Sequence, residues 1–280
     1  QIVHGMAEYV ERYENLAEFL TKRGILVTGE DHLGHGKSVS EGGSFGYFCE
    51  QEPATVVVRD VHRLKKITEE QYPQVPYIIL GHSMGSFIAR NYLCRYGSGI
   101  GGAVIVGTGM QSAGLIFASK AMAGIQKLFC GSKHVSHFID KAAFGGYNKR
   151  IDSPRTSSDW LSRNTENVDR YIEDELCGFT FTVNGFQTLF ELIRRLQKQE
   201  NLEKVPQNLP ILMVSGAEDP VGDYGKGVRK ACDSLKRAGV KNITVKLYEN
   251  DRHELLNEDD AEVAMEDIWQ WICKEIPWIA

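Results

Sequence analysis

The stretch Tyr77-Ile78-Ile79-Leu80-Gly81-His82-Ser83-Met84-Gly85-Ser86-Phe87-Ile88-Ala89 decides the fold. Its first part is apolar and uncharged, which reads as a strand covered on both faces. Gly81-His82-Ser83-Met84-Gly85 then turns the chain, and Phe87, Ile88, Tyr92 and Leu93 follow at helical spacing. A strand, a sharp turn with a serine at its apex and a helix are predicted. A serine hydroxyl is a weak nucleophile until a base takes its proton. A tight turn exposes the oxygen and points the next amide at a developing oxyanion. Glycine is expected at 81 and 85 because a side chain there would strike the neighbouring strand or helix. In this setting the G-x-S-x-G pattern is that of a nucleophile elbow; in any other it is an ordinary turn serine.

Working outward, strand and helix signals alternate. Gln1-Ile2-Val3 reads as a strand end and His4-Gly5-Met6 as the loop after it. It looks like the tail of a strand already in progress, so a segment upstream of Gln1 is expected. A helix with Tyr9, Tyr13, Leu16 and Leu20 on one face follows, with Gly24 beyond its end. Ile25-Leu26-Val27-Thr28 reads as a strand running into the glycine-rich loop Glu30 to Ser38. A helix up to Tyr72 carries Val57, Val61, Leu64 and Thr68 inward, and Ala103-Val104-Ile105-Val106 is the next strand. This rhythm predicts βαβ units and a mostly parallel sheet with helices on both faces. Ligands bind such sheets at the carboxyl ends of the strands.

From 111 to 205 strand signals nearly vanish. Helices are predicted over Ala113–Phe129, Ser158–Leu176 and Gly185–Gln199, with the short aromatic run Phe179–Val183 between the last two. Residues 111–205 are therefore expected to form a helical cap inserted between two parts of one α/β core, 1–110 and 206–280. In the second part, strands are predicted at Ile211–Ser215 and Ile243–Tyr248, and helices at Val228–Ala238 and Asp260–Lys274.

The 280 residues are enough to bury a large core. A formal charge of -5 leaves no basic footprint for nucleic acid. Six cysteines, Cys49, Cys94, Cys130, Cys177, Cys232 and Cys273, include no C-x-x-C pair and read as reduced, in a cytoplasmic protein. Neither a signal peptide nor an unbroken transmembrane run is read, and the most apolar stretch is interrupted by Lys120, Gln126 and Lys127.

A nucleophilic serine needs a base, and the base an orienting carboxylate, here in the chain order serine, acid, histidine. Only His134, His137 and His253 follow Ser83. His134 and His137 fall in the cap with no strand before them, whereas His253 follows the strand ending at Tyr248. The acid should end the preceding strand, where Ser215-Gly216-Ala217-Glu218-Asp219-Pro220-Val221 offers Glu218 and Asp219. Pro220 holds Asp219 extended, which favours it over Glu218 and Asp251. For the oxyanion hole, the amide of Met84 is one donor and that of Met6, after Gly5, the other. Phe179, Phe181, Phe186 and Phe190 are acyl-pocket candidates, or simply the contact between cap and core; Gly5 and His82 complete the expected substrate-facing set. Gly36-Lys37-Ser38 resembles the end of a phosphate loop, but that motif needs glycine where Asp31 stands. His32-x-x-His35 and His134-x-x-His137 lack a matching second cluster, so no metal and no cofactor is expected.

With these residues placed, the chain resembles the α/β-hydrolases, and within them the monoacylglycerol lipase and lysophospholipase-like branch often labelled serine aminopeptidase S33. The matching pieces are His4-Gly5-Met6, Asp31 to Ser38, Gly81 to Gly85, Gly216 to Val221 and Arg252-His253-Glu254, in the family's order. The resemblance implies Ser83, Asp219 and His253 as triad, the Met6 and Met84 amides as oxyanion hole, and a helical cap over an acyl pocket. It implies an ester hydrolase acting through an acyl-enzyme on a small or lipid-like ester, with transient membrane-surface contact through the cap. Members usually carry two antiparallel strands before the His-Gly loop, which this chain does not include. An aminopeptidase or amidase would keep the triad but need a carboxylate for the free amino group, for which Glu173, Asp174 and Glu175 are the candidates. A non-catalytic binding protein would have no need of all three triad residues.

Overall fold

The computed structural model describes residues 1–276. Five parallel strands, β1 (Ile2–Val3), β2 (Ile78–His82), β3 (Gly102–Val106), β4 (Ile211–Gly216) and β5 (Ile243–Tyr248), lie side by side in chain order. Register is unbroken through the centre: Leu80 pairs Val104, and Val104 pairs Leu212. Parallel neighbours need crossovers, here supplied by α1 (Glu14–Thr21), α2 (Pro53–Gln71), α3 (Met84–Tyr96), the 113–202 segment and α9 (Lys226–Arg237), with α10 (Ala261–Glu275) closing the chain.

Strand side chains alternate between two apolar layers. Ile79, Ala103, Ile105, Ile211 and Met213 join one core with α2, α3 and α9. Leu80, Val104, Val106, Leu212 and Val214 join the other with Leu16 and Leu20 of α1 and Ile268 and Ile272 of α10. Coverage of both faces is why the central strands β2, β3 and β4 are rich in Val, Ile and Leu.

The 113–202 segment forms α4 (Ala113–Cys130), α5 (His137–Phe144), α6 (Thr165–Glu173), α7 (Val183–Leu196) and α8 (Gln199–Leu202). Four of these starts are capped by a side chain: Ser112 accepts from Leu115, Ser136 from Ile139, Asn164 from Asn167 and Thr182 from Gly185. Ile116, Ala123, Ile139, Phe186 and Leu189 continue the first core layer, so the segment shares one apolar core with the sheet.

Two predicted elements need correction. Ile25–Thr28 is not a strand: it touches the sheet through one bridge, Ile2 to Gly29, and one bond, Ile2 N–H to the Thr28 carbonyl at 2.8 Å. Its neighbour β1 spans two residues and offers no longer edge to pair with. The helix expected from Ser158 to Leu176 is a single turn, Asp159–Leu161, followed by α6. Asp159 folds back to accept the amides of Arg155 and Thr156, and Asn164 caps a fresh helix start.

Candidate active site

Ser83 sits between β2 and α3 at φ +54° and ψ -121°, a conformation side-chain-bearing residues rarely adopt. The turn is this tight because backbones pass close by. A Cβ at Gly81 would lie 2.4 Å from the Gly85 carbonyl oxygen, and one at Gly85 only 1.9 Å from that of Val3. The Ser83 amide donates to Val106 at 3.0 Å, fixing the elbow to β3. Met84 opens α3, so its N–H has no acceptor within the helix.

Asp219 follows β4 and is fully buried. Its Oδ1 accepts the Val221 amide at 2.8 Å and its Oδ2 the Ser215 hydroxyl at 3.1 Å. The same Oδ1 lies 3.0 Å from Nδ1 of His253, which follows β5 and is also buried. Trp160, from the single turn before α6, packs its ring 5.1 Å from the His253 ring. The other acid candidates lie elsewhere: Glu218 is exposed, and Asp251 pairs with Arg163. Burial, with Asp260 and Glu258 close by, pushes the Asp251 pKa up to about 6 despite that pair.

Ser83, Met84, Met6 and His253 all line one cavity of about 870 Å³, inside the usual range of small-molecule sites. Its wall includes the apolar side chains of Phe87, Ile116, Met122, Leu189, Phe190 and Ile193. The same wall includes the buried polar residues Glu8, His82 and Glu254, together with Tyr171. Of the four phenylalanines singled out, Phe179 and Phe190 face this cavity. Phe181 and Phe186 do not: both are fully buried, with Phe181 edge-on to His35 and Phe48 and tilted against Phe186 where the 113–202 segment meets the core. Gly5 is also off the wall, pressed against the serine so closely that a Cβ would lie 3.1 Å from that of Ser83. His134 and His137 are exposed, away from the cavity. Glu173 and Glu175 are exposed and Asp174 is bonded to Tyr9 at 2.8 Å, so none of the three stands at the site. Among the described residues no three histidines, cysteines or carboxylates are arranged to hold a metal ion.

Sequence reasoning missed the polar group behind the serine. Glu8 Oε1 accepts the Gly5 amide at 2.5 Å and the Tyr13 hydroxyl at 2.7 Å. Arg12 bonds Glu254 at 2.8 Å, and Asn167 of α6 bonds the same oxygen at 2.6 Å. Burial raises the carboxyl pKa of Glu8, but His82 and Arg12 outweigh it and hold the group well below the ordinary range. Glu8 and Arg12 lie four residues apart, which is a signal for an ion pair, but nothing in the spacing points it at Ser83.

A family model described as serine aminopeptidase S33 matches residues 1–260. The chain belongs to this family. The rat monoglyceride lipase is 28% identical over 98% of this chain and 82% of its own length. The monoacylglycerol lipase of Mycolicibacterium smegmatis is 27% identical over 98% of this chain and 88% of its own. Among solved structures, a thermostable carboxyl esterase from Bacillus coagulans in complex with glycerol is 30% identical, superimposes with a TM-score of 0.92, and is matched over 99% of this chain and 89% of that one. With the sheet order and the elbow, this makes the architecture an α/β-hydrolase fold.

Proposed function

We propose that the chain is a serine hydrolase of carboxylic esters whose preferred substrate is a monoacyl ester of a small polar alcohol, such as a monoacylglycerol. The observation that carries this reading is the strained Ser83 elbow on the same cavity wall as the Asp219-linked His253. Ser83 Oγ attacks the acyl carbonyl while His253 takes its proton. Asp219 keeps the imidazole oriented and offsets the charge it gains. The Met6 and Met84 amides hold the oxyanion, a contribution typically of about 10²–10³ in turnover per donor. His253 then gives the proton to the leaving alcohol, and water releases the acid from the acyl-enzyme. The apolar part of the cavity wall supports an acyl chain, and its exposed polar side chains, among them Lys141 and Lys230, support a hydroxylated leaving group. The names of the rat and mycobacterial relatives and of the esterase support the same bond type.

Residues 111–205 act in this reading as a cap, and its α4 as the contact with a lipid surface. Phe117, Ile125, Leu128 and Phe129 share one side of α4, and Phe117, Leu128 and Phe129 are 77%, 84% and 85% exposed. No described helix is long and apolar enough to cross a membrane. A cytoplasmic setting is supported by the six unbridged cysteines.

The test is hydrolysis of a panel of p-nitrophenyl esters from acetyl to palmitoyl, a monoacylglycerol, a lysophospholipid and aminoacyl amides, with Ser83→Ala alongside. Ester cleavage that disappears in the variant is expected, with monoacylglycerol the best natural substrate. Cleavage of amides alone would replace the reading with a peptidase, and full activity in Ser83→Ala would end it.

A further inference from the structure

The residue before the serine, His82, is buried, and both its ring nitrogens are held by protein. Nε2 lies 3.0 Å from the backbone carbonyl oxygen of His253. A carbonyl only accepts, so Nε2 carries a proton. Nδ1 lies 2.8 Å from the Tyr13 oxygen and 3.3 Å from Glu8 Oε1. The single hydroxyl proton of Tyr13 has two acceptors within reach, Glu8 Oε1 at 2.7 Å and Nδ1 at 2.8 Å. With that proton on Glu8, the shorter of the two contacts, Nδ1 faces two acceptors, the Tyr13 oxygen and the Glu8 carboxylate, and carries a proton as well. No nitrogen of the ring is left for a substrate.

We propose that His82 is a buried imidazolium, paired with ionised Glu8, that acts as a positioning residue by locking the backbone of His253 to the loop carrying the Met6 amide. The inference rests on the serine-hydrolase reading for its catalytic consequence, though not for the charge state. Glu8 supplies the other half of the lock through its bond to the Gly5 amide at 2.5 Å. One ion pair thus joins the oxyanion loop after β1 to the base loop after β5, across the elbow between them. The electrostatics agree. Burial pulls the pKa of His82 down, but the bond and charge of Glu8, then Glu254 and the His253 carbonyl, outweigh it and hold it above the ordinary histidine value. The titratable groups around the pair are Tyr13, His4, the His253 ring 4.7 Å from that of His82, Arg12, 4.0 Å from Glu8, and Glu254, which Arg12 bonds in turn. Each charge has an opposite partner, the condition under which a buried ion is retained.

The charge is read directly by long-range proton–nitrogen spectra of protein labelled in its histidines, with His82 assigned by its loss in His82→Gln. Both His82 nitrogens are expected in the protonated range at about pH 7, above the ordinary histidine pKa of about 6.5. In Glu8→Gln the ring should become neutral at that pH. A neutral ring in the unsubstituted protein overturns the proposal, whatever the outcome of the ester panel. The positioning role is read from steady-state kinetics on a p-nitrophenyl ester. Both His82→Gln and the isosteric Glu8→Gln should lower kcat by roughly 10²-fold, the cost of a small misplacement of reacting groups. KM should stay within about two-fold, because no substrate contact is removed. A raised KM at unchanged kcat would make His82 a substrate contact and overturn the role. Melting curves of both variants separate lost positioning from lost folding, and Glu8→Gln preserves the shape of the loop.

Discussion

Ser83 holds its backbone at φ +54° and ψ -121° because β3, Gly81 and Gly85 leave the elbow no other course. Such a residue costs about 1–3 kcal/mol in strain. Ser83→Gly should therefore raise stability by about 1 kcal/mol after the extra freedom of the unfolded chain is subtracted, while abolishing ester turnover. Ser83→Ala keeps the strain and should melt within about 0.5 kcal/mol of the parent. Thermal melts of the three proteins check this; a destabilised glycine variant would show that the serine hydroxyl holds the turn together. That Ser83, Asp219 and His253 each follow a strand was readable from residue type and position. The roles of the phenylalanines were not. Phe179 and Phe181 are two apart and chemically identical, yet one faces the cavity and the other is sealed beneath it.

The loop from Asp31 to Ser38 shows what a motif does when it does no chemistry. Asp31 accepts the Val10 amide at 2.9 Å and the Lys37 amide at 2.8 Å, closing the loop on itself and on the chain before α1. His32 and His35 pack against His4, with ring centroids 4.0 and 5.2 Å away. Burial drives the pKa of His32 down to about 4 and that of His35 down to about 3. The unfolded chain thus binds protons that the fold refuses. The contribution is fully present above the unfolded value of about 6.5 and is lost as pH falls toward 4. For His32 alone the loss amounts to roughly 3 kcal/mol. Denaturant midpoints should fall steeply over that window, and His35→Gln should flatten the fall. An unchanged slope in the variant would show that His35 titrates normally. The alternation of strand and helix was legible because each element carries its own period. The 25–28 segment misled because its apolar run has strand composition but only a two-residue neighbour to pair with.

Considered whole, the molecule is a covered parallel sheet with a cavity of about 870 Å³ between its strand ends and the 113–202 helices. The apolar side of α4 faces outward, so its effect should depend on how the substrate is presented. Replacing Phe117, Leu128 and Phe129 together by serine should leave hydrolysis of a soluble short-chain p-nitrophenyl ester unchanged. Hydrolysis of monoacylglycerol in vesicles should fall about ten-fold or more, since burying three such side chains is worth roughly 1.5–3 kcal/mol each. Equal loss on both substrates would place these residues in folding rather than in surface contact. Stability is not expected to suffer, because each of the three side chains is more than three-quarters exposed.

Local patterns were enough to specify the sheet, the elbow, the order of the three triad candidates and the helical insertion. Each is written in consecutive residues as a period, a glycine or a strand end. Contacts between distant segments had to come from the folded chain. Glu8 meets His82 across 74 positions, and His82 meets the His253 carbonyl across 171. A buried charge is tolerable only where its partners converge, and convergence of that kind has no signature along a single segment. The same reason separates Phe179 from Phe181: burial is a property of what packs against a side chain, not of the side chain.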